Sequence, residues 1–300
     1  MITTNENFVW CTYRNWSFEI LDTLIDLSHS KCVSILTTEN CVYDFSRFEK
    51  TGIKVFKLPP KSVFKKESQF LKFIKDQSVK TIFFYGWSWF VPSSIFNSFL
   101  CLTLHPGLLP DGRGGSPIQN QMLKNQKWTY ANLIELGKEL DKGDIFDREK
   151  IILDGDANDV WQRMTSAGAV ITRRFLNKKA KNLISRTAQP PGGHFYNRVT
   201  SKNAILKPEK QSALEMHNIV RAHNENDPNG YVSNANRTVK NHTRGEAIVA
   251  MKLGAKSPGG NYYWTLKTVK NKQSETPKLL NPQWTLYENS LRPGPGGILP

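Results

Sequence analysis

The chain has 300 residues, 39% of them hydrophobic, and carries a formal net charge of +15. That length exceeds one average domain and suits two, and a charge of this size points to an anionic partner. No apolar run approaches the roughly 20 residues that span a bilayer, and MITTNENFVW lacks a basic segment ahead of an apolar one, so neither a membrane span nor a secretory leader is expected.

Taken in order, FVWCTY (Phe8 to Tyr13) predicts a first buried strand. An amphipathic helix follows from about Ser17, its expected N-cap, to Leu27. KCVSILTT and KVFKLP predict the second and third strands, ESQFLKFIKDQ a short helix, and KTIFFYG a fourth strand. Strand-helix alternation of this kind argues for a parallel sheet with right-handed crossovers. No G-x-G-x-x-G follows the first strand, so a dinucleotide cofactor has no support. The cysteines Cys11, Cys32, Cys41 and Cys101 are not paired at metal-ligand spacing. They read as buried free thiols in a reducing cytosol.

The stretch TLHPGLLPDGRGGSP, from Thr103 to Pro117, follows the apolar run SFLCLTL and precedes the helical SPIQNQMLKNQ. A His where a buried strand meets a loop sits at the carboxyl edge of an α/β sheet, where such folds place their chemistry. KWTYANLIEL then predicts a strand, GKELDKG a loop and DIFDREKIIL a returning strand. A long helix follows, capped near Asp156 or Asn158. Its basic end (Arg173, Arg174, Lys178, Lys179, Lys181) is either a solvated face or a polyanion site. AQPPGGHF, from Ala188 to Phe195, breaks the pattern and marks a domain boundary. Beyond it come a helix over Glu209 to His223, strands at EAIVAMK, NYYWTLKTV and QWTLY, and RPGPGGILP as a disordered tail. Histidines 29, 194, 217, 223 and 242 show no metal-binding spacing, and no catalytic metal is expected.

His105-Pro106, Leu109-Pro110, Arg113-Gly114 and Leu140-Asp141 with Gly143-Asp144 together resemble the folate-dependent formyltransferases, which carry Asn-x-His-Pro, Leu-Pro-x-x-Arg-Gly and Leu-Asp-x-Gly-Asp in that order. One position differs: the family's Asn falls on Thr103. The resemblance extends from about residue 8 to 190 and thins to 233, where Pro208 to Ser212 and Asp227 to Gly230 echo the family's connector. It implies a Rossmann-like, mostly parallel α/β sheet in a formyltransferase catalytic domain (1–190) and a connector with a helix (191–233); beyond its reach, the strand runs themselves predict a smaller β-rich C-terminal region (234–300). It implies 10-formyltetrahydrofolate as co-substrate and a cytoplasmic homodimer. His105, Asp141 and Thr103 would be catalytic. Trp89, Phe90, Val91, Leu109 and the run Gly137, Lys138, Glu139, Leu140 and Asp141 would hold the pterin. Arg113, Gly114, Ser116 and Asn120 would shape the covering loop or meet substrate, with Asn120 or Gln119 able to replace the missing Asn. The Trp-rich GWSWFVP and short connector resemble the amino-sugar N-formyltransferases, so a nucleotide-linked amino sugar is the favoured acceptor. A methionyl group on tRNA is the second reading, glycinamide ribonucleotide a weaker third. A folate- or nucleotide-binding protein that lost catalysis with the Asn is the alternative from another class.

Overall fold

The computed structural model describes residues 6–59, 64, 68–204, 211 and 213–223, together with four strands between 246 and 293. In chain order the first elements are β1 (Glu6–Cys11), α1 (Asn15–Asp22), β2 (Ser30–Thr37), α2 (Ser46–Lys50), β3 (Lys54–Lys57), α3 (Gln69–Asp76), β4 (Thr81–Phe84), α4 (Ser93–Phe96) and β5 (Leu100–Pro106). There follow β6 (Arg113–Gly114), α5 (Pro117–Leu123), β7 (Trp128–Glu135), β8 (Ile145–Ile152), α6 (Ala157–Ala180), β9 (Phe195–Tyr196), a 3-10 turn (Ser201–Ala204) and α7 (Ala213–Ala222).

Seven strands form one sheet in the order β3-β2-β1-β4-β5-β7-β8. The first five are parallel, and β7 runs antiparallel to β5. The mostly parallel α/β expectation is therefore met. The continuous apolar runs of β1 and β4 follow from burial on both faces, as a parallel sheet covered by helices requires. On one face Phe8 meets Phe83 edge-on at 5.5 Å between ring centroids, Trp10 meets Tyr85 at 4.6 Å, and Phe83 receives Phe175 of α6 at 6.0 Å. On the other face Val9, Cys11, Ile82 and Phe84 pack with Phe70 and Ile74 of α3 and Ile95 of α4. Gly168 lets α6 sit close: a Cβ there would lie 2.7 Å from both Ile20 and Leu104. The exposed strand β8 reads IFDREKII and alternates in burial, as a polar outer strand does.

Two local expectations change. Helix α1 begins at Asn15 with Arg14 at its cap, and Ser17 instead accepts a hydrogen bond from Trp10 Nε1 at 2.9 Å. After Asp22 the chain continues through turns closed by Leu24 N–H to the Leu21 carbonyl and Leu27 N–H to the Leu24 carbonyl. The tighter spacing still buries Leu24. At α6 the cap is Asp156, whose Oδ1 accepts from the backbone N–H of Asn158 and Asp159 at 3.0 and 3.1 Å. Cys11, Cys32 and Cys101 are buried free thiols, and burial pushes Cys101 up to about 12.

The chain divides into two compact units, the first being Met1–Gly114, Thr129–Ile151 and Trp161–Phe195, the second Gly115–Trp128, Ile152–Val160 and Tyr196–Pro300. In the second unit Arg221 of α7 is buried and donates to the carbonyls of Leu153 at 2.5 Å and Met122 at 3.4 Å. The same unit contains a four-stranded sheet in the order β10-β11-β13-β12, from β10 (Glu246–Lys256), β11 (Tyr262–Lys270), β12 (Trp284–Tyr287) and β13 (Ser290–Pro293). The β-rich C-terminal expectation holds, with one more strand than foreseen. Pro208 to Lys210, Ser212, Asp227 to Gly230 and the tail from 294 to 300 lie outside the described residues.

Candidate active site

Strand β5 extends past the end of its parallel neighbour β4, and Thr103 and His105 share one face at the carboxyl edge of the sheet. Across the ladder His105 stands opposite Asn132 of β7. The Asn132 amide is buried and donates to the carbonyls of His105 at 3.0 Å, Gly107 at 2.8 Å and Tyr130 at 3.2 Å. It thereby fixes the turn that carries the imidazole.

The imidazole is buried, with 6% of the residue exposed. Its Nε2 lies 2.8 Å from the Gly112 carbonyl, which can only accept, so Nε2 carries a proton. Its Nδ1 faces Asp141 Oδ2 at 3.5 Å. Asp141 sits in the loop after β7 with a left-handed backbone, φ 53°. Its Oδ2 also accepts from the Gly114 N–H at 2.9 Å. The imidazole thus has an acceptor on each side and can hold a proton at either nitrogen.

Residues 189–194, part of the segment expected to be a domain break, tie these loops together. Gln189 accepts from Arg113 Nε at 3.0 Å and Nη2 at 2.8 Å, and donates to the carbonyls of Asp141 and Gly143, both at 2.8 Å. Arg113, only 2% exposed, also donates through Nη1 to the Gly192 carbonyl at 2.7 Å. The His194 carbonyl accepts from the Gly112 and Arg113 N–H groups, and the His194 N–H donates to Asp111 Oδ1 at 2.9 Å. Gly193 has φ 94°, and a Cβ there would lie 2.3 Å from the Pro110 carbonyl oxygen. Sequence reasoning missed Gln189 and Asn132. The only signal for Gln189 was a polar residue ahead of Pro-Pro-Gly-Gly, and for Asn132 a lone amide inside an apolar strand.

The structure therefore brings His105, Asp141, Arg113 and Gly114 together. Thr103 is at the same edge, but its hydroxyl donates to the Phe84 carbonyl at 2.8 Å. Among the pterin candidates, Gly137, Lys138, Glu139 and Leu140 are exposed, leaving that stretch of backbone open to a ligand. Phe90 is 81% exposed, whereas Val91 points into the core beneath the sheet. Trp89 is half-buried, 4.7 Å from the Tyr13 ring and 5.0 Å from Trp87. Leu109 is half-buried and precedes a cis proline, Pro110. Ser116 and Asn120 belong to the second compact unit. Ser116 Oγ accepts from the Val199 N–H at 3.2 Å. The Asn120 amide donates to the carbonyls of Gly115, Ser116 and Asn197, which commits one of the two donors expected to replace the family's Asn, and the other, Gln119, is buried in the same unit.

The basic end of α6 is paired. Arg174 reaches Asp147 at 2.9 Å and Glu149 at 2.8 Å, Lys179 reaches Glu6 at 2.9 Å, and Arg173 donates to the Thr23 carbonyl. Among the described residues no three His, Cys, Asp or Glu side chains gather at metal-binding range, and no helix is long and apolar enough to cross a membrane.

The sheet thus presents a buried His–Asp pair at its carboxyl edge, an arrangement able to move a proton at a reacting group. The sequence profile described as Formyl transferase matches residues 11–175, more than half of the chain, and the chain belongs to that family. A curated methionyl-tRNA formyltransferase from Lactobacillus gasseri is 28% identical over 147 residues, 48% of this chain and 46% of its own length. The match thus spans less than half of that relative. Two solved structures share the fold. Methionyl-tRNA formyltransferase from Clostridium thermocellum has a TM-score of 0.56 at 18% identity, covering 89% of this chain and 100% of its own. The N-formyltransferase from Helicobacter canadensis, solved with folinic acid and dTDP-3-aminofucose, has a TM-score of 0.55 at 14% identity, covering 90% and 97%.

Proposed function

We propose that this chain transfers a formyl group from 10-formyltetrahydrofolate to an acceptor amine, with His105 and Asp141 as the reacting pair. The observation that carries the reading is the buried imidazole between the Gly112 carbonyl and the Asp141 carboxylate, inside a segment matched by the Formyl transferase profile. The acceptor nitrogen forms a bond to the formyl carbon, and the carbonyl electron pair moves onto oxygen. Collapse breaks the bond from that carbon to the folate nitrogen. The acceptor nitrogen loses one proton and the departing nitrogen gains one. His105 stabilises the negative oxygen as a proton donor, for which its Nε2–H must leave the Gly112 carbonyl it meets at 2.8 Å, and handles the proton exchange, while Asp141 supports its positive charge.

Thr103 contributes less. To donate to the oxyanion its hydroxyl must release the Phe84 carbonyl, which costs about 1 kcal/mol. A preorganised donor is worth roughly 10²–10³ in rate, so Thr103 supplies only part of that. The residues fit a flat, polar heterocycle: an exposed aromatic, Phe90, and the exposed run from Gly137 to Leu140 for backbone hydrogen bonds.

The proposed acceptor is a nucleotide-linked amino sugar. Support comes from the shared fold of the Helicobacter canadensis enzyme and its bound dTDP-3-aminofucose. The paired basic end of α6 also withdraws one candidate contact for a polyanion. A second reading, methionyl-tRNA, is favoured by the curated relative's name. We extend the reading to a cytoplasmic homodimer, whose dimer sedimentation tests.

The deciding assay mixes purified protein, 10-formyltetrahydrofolate and either a panel of nucleotide-linked amino sugars or methionyl-tRNA, and follows tetrahydrofolate release. Release with one sugar is expected. Release with methionyl-tRNA alone establishes the second reading. Silence with both, while folate still binds, would sink the enzymatic reading.

A further inference from the structure

We infer that Gln189 is the positioning residue of the His105–Asp141 pair: its carboxamide holds the Asp141 loop and the Arg113 loop in the one arrangement that aims Asp141 Oδ2 at the imidazole. This rests on the reading of those two residues as the reacting pair, and it extends the site beyond residue 175, where the family match ends.

The hydrogen bonds close a ring. Asp141 Oδ2 accepts from the Gly114 N–H at 2.9 Å. Gly114 is bonded to Arg113, whose Nε and Nη2 both donate to Gln189 Oε1. Gln189 Nε2 returns to the Asp141 carbonyl at 2.8 Å and to the next loop carbonyl, Gly143, at 2.8 Å. Both donors and both acceptor sites of the carboxamide are thereby used. No other residue type of similar length offers two donors and a doubly accepting oxygen at this spacing. Glutamate would keep the Arg113 contact and lose both donors. Asparagine is one methylene too short to reach both loops.

The ring matters because Asp141 occupies a backbone region that non-glycine residues rarely adopt, φ 53°. Asp enters this region more readily than most residues, and the bonds that hold it there also fix where its carboxylate points. Two bonds do so here: the Gln189 amide on the Asp141 carbonyl and the Gly114 N–H on its carboxylate. Release of the first frees the peptide to relax and turns the carboxylate away from Nδ1. Gln189 itself touches neither the imidazole nor, in this reading, any reacting atom. Its effect passes through Asp141.

The test compares the full chain with Gln189→Asn, neutral and too short, and Gln189→Glu, long enough but without donors. Three readouts are taken: thermal midpoint, the His105 ring titration followed by NMR without any substrate, and kcat and KM for the formyl donor. Expected for both variants are a folded protein and a kcat lowered about 10- to 100-fold, less than the roughly 10²–10⁴-fold that a proton-transfer group itself contributes, because Gln189 acts through Asp141. The donor KM should stay within a few-fold. In the neutral Gln189→Asn variant the His105 ring titration curve should differ from that of the wild type, because the Asp141 carboxylate no longer faces Nδ1. A wild-type titration and wild-type kcat in folded variants would overturn the assignment. Failure of both variants to fold would overturn it too, making Gln189 a fold residue. If the titration moves in a chain whose wild type transfers no formyl group to any acceptor, the positioning role stands and the proposed function falls.

Discussion

Of the polar clusters that hold arginines against carboxylates or carboxamides, those around Arg174 and Arg113 differ most, and only the second is built as a site. Around Arg174 the side chains of Asp147, Glu149 and Lys178 pair at the surface, and the Arg174 side chain is 40% exposed. Around Arg113 the partners are a carboxamide and backbone carbonyls, and the residue is 2% exposed. The surface cluster balances charge in water, where each pair contributes little. The buried cluster spends its hydrogen bonds on aiming one carboxylate at one imidazole. Abundance of charge was the visible feature of the first, convergence on a single ring that of the second. Only convergence implies chemistry.

The largest expected effect that sharpens this contrast is His105→Asn. Loss of the oxyanion donor and proton carrier together should lower kcat by about 10³-fold or more with the thermal midpoint within a few degrees. A variant that keeps more than a tenth of wild-type turnover would remove His105 from the chemistry. Arg113→Met comes next. It strands Gln189 Oε1 and the Gly192 carbonyl, and an unsatisfied buried acceptor costs about 1–3 kcal/mol. Urea titration should show that loss together with reduced kcat. Thr103→Val should cost no more than about 10-fold in kcat, because the hydroxyl is already committed to Phe84. Thr103→Asn should raise kcat if its amide reaches the oxyanion, and an unchanged rate would show that this edge has no room for a second donor. The smallest effect is Arg174→Ala, which should change stability by under about 1 kcal/mol and leave kcat untouched. A larger loss in either would mean that the surface cluster is tied to the site after all.

The strands were legible because burial on both faces leaves unbroken apolar runs, as in VWC of β1 and IFF of β4. His105 and Asp141 were legible as part of a motif, and the structure sets them 3.5 Å apart. The start of α1 was misjudged because Ser17 has the chemistry of a cap, yet a Trp10 indole reaches it first. Gln189 was not legible. Its role depends on the carbonyls of Asp141 and Gly143, and backbone groups leave no mark in side-chain pattern. Pro-Pro-Gly-Gly beside it looked like an interruption between domains. The division between the two compact units does fall at its end, after Phe195, and up to there the segment is ordered by its main chain, through Gly192 and His194.

The late position of Gln189 also sets an order of assembly. A chain made from its N-terminus folds first what it has first. All seven strands of the main sheet have been synthesised by residue 152, and the loops bearing His105 and Asp141 with them. The carboxamide that joins those loops emerges only after the whole of α6, which ends at Ala180. The scaffold is complete only once α6 covers the sheet, and the aligned pair follows with the segment just after it. Any formyl-transfer competence should switch on abruptly as the segment after α6 leaves the ribosome, rather than grow with the sheet.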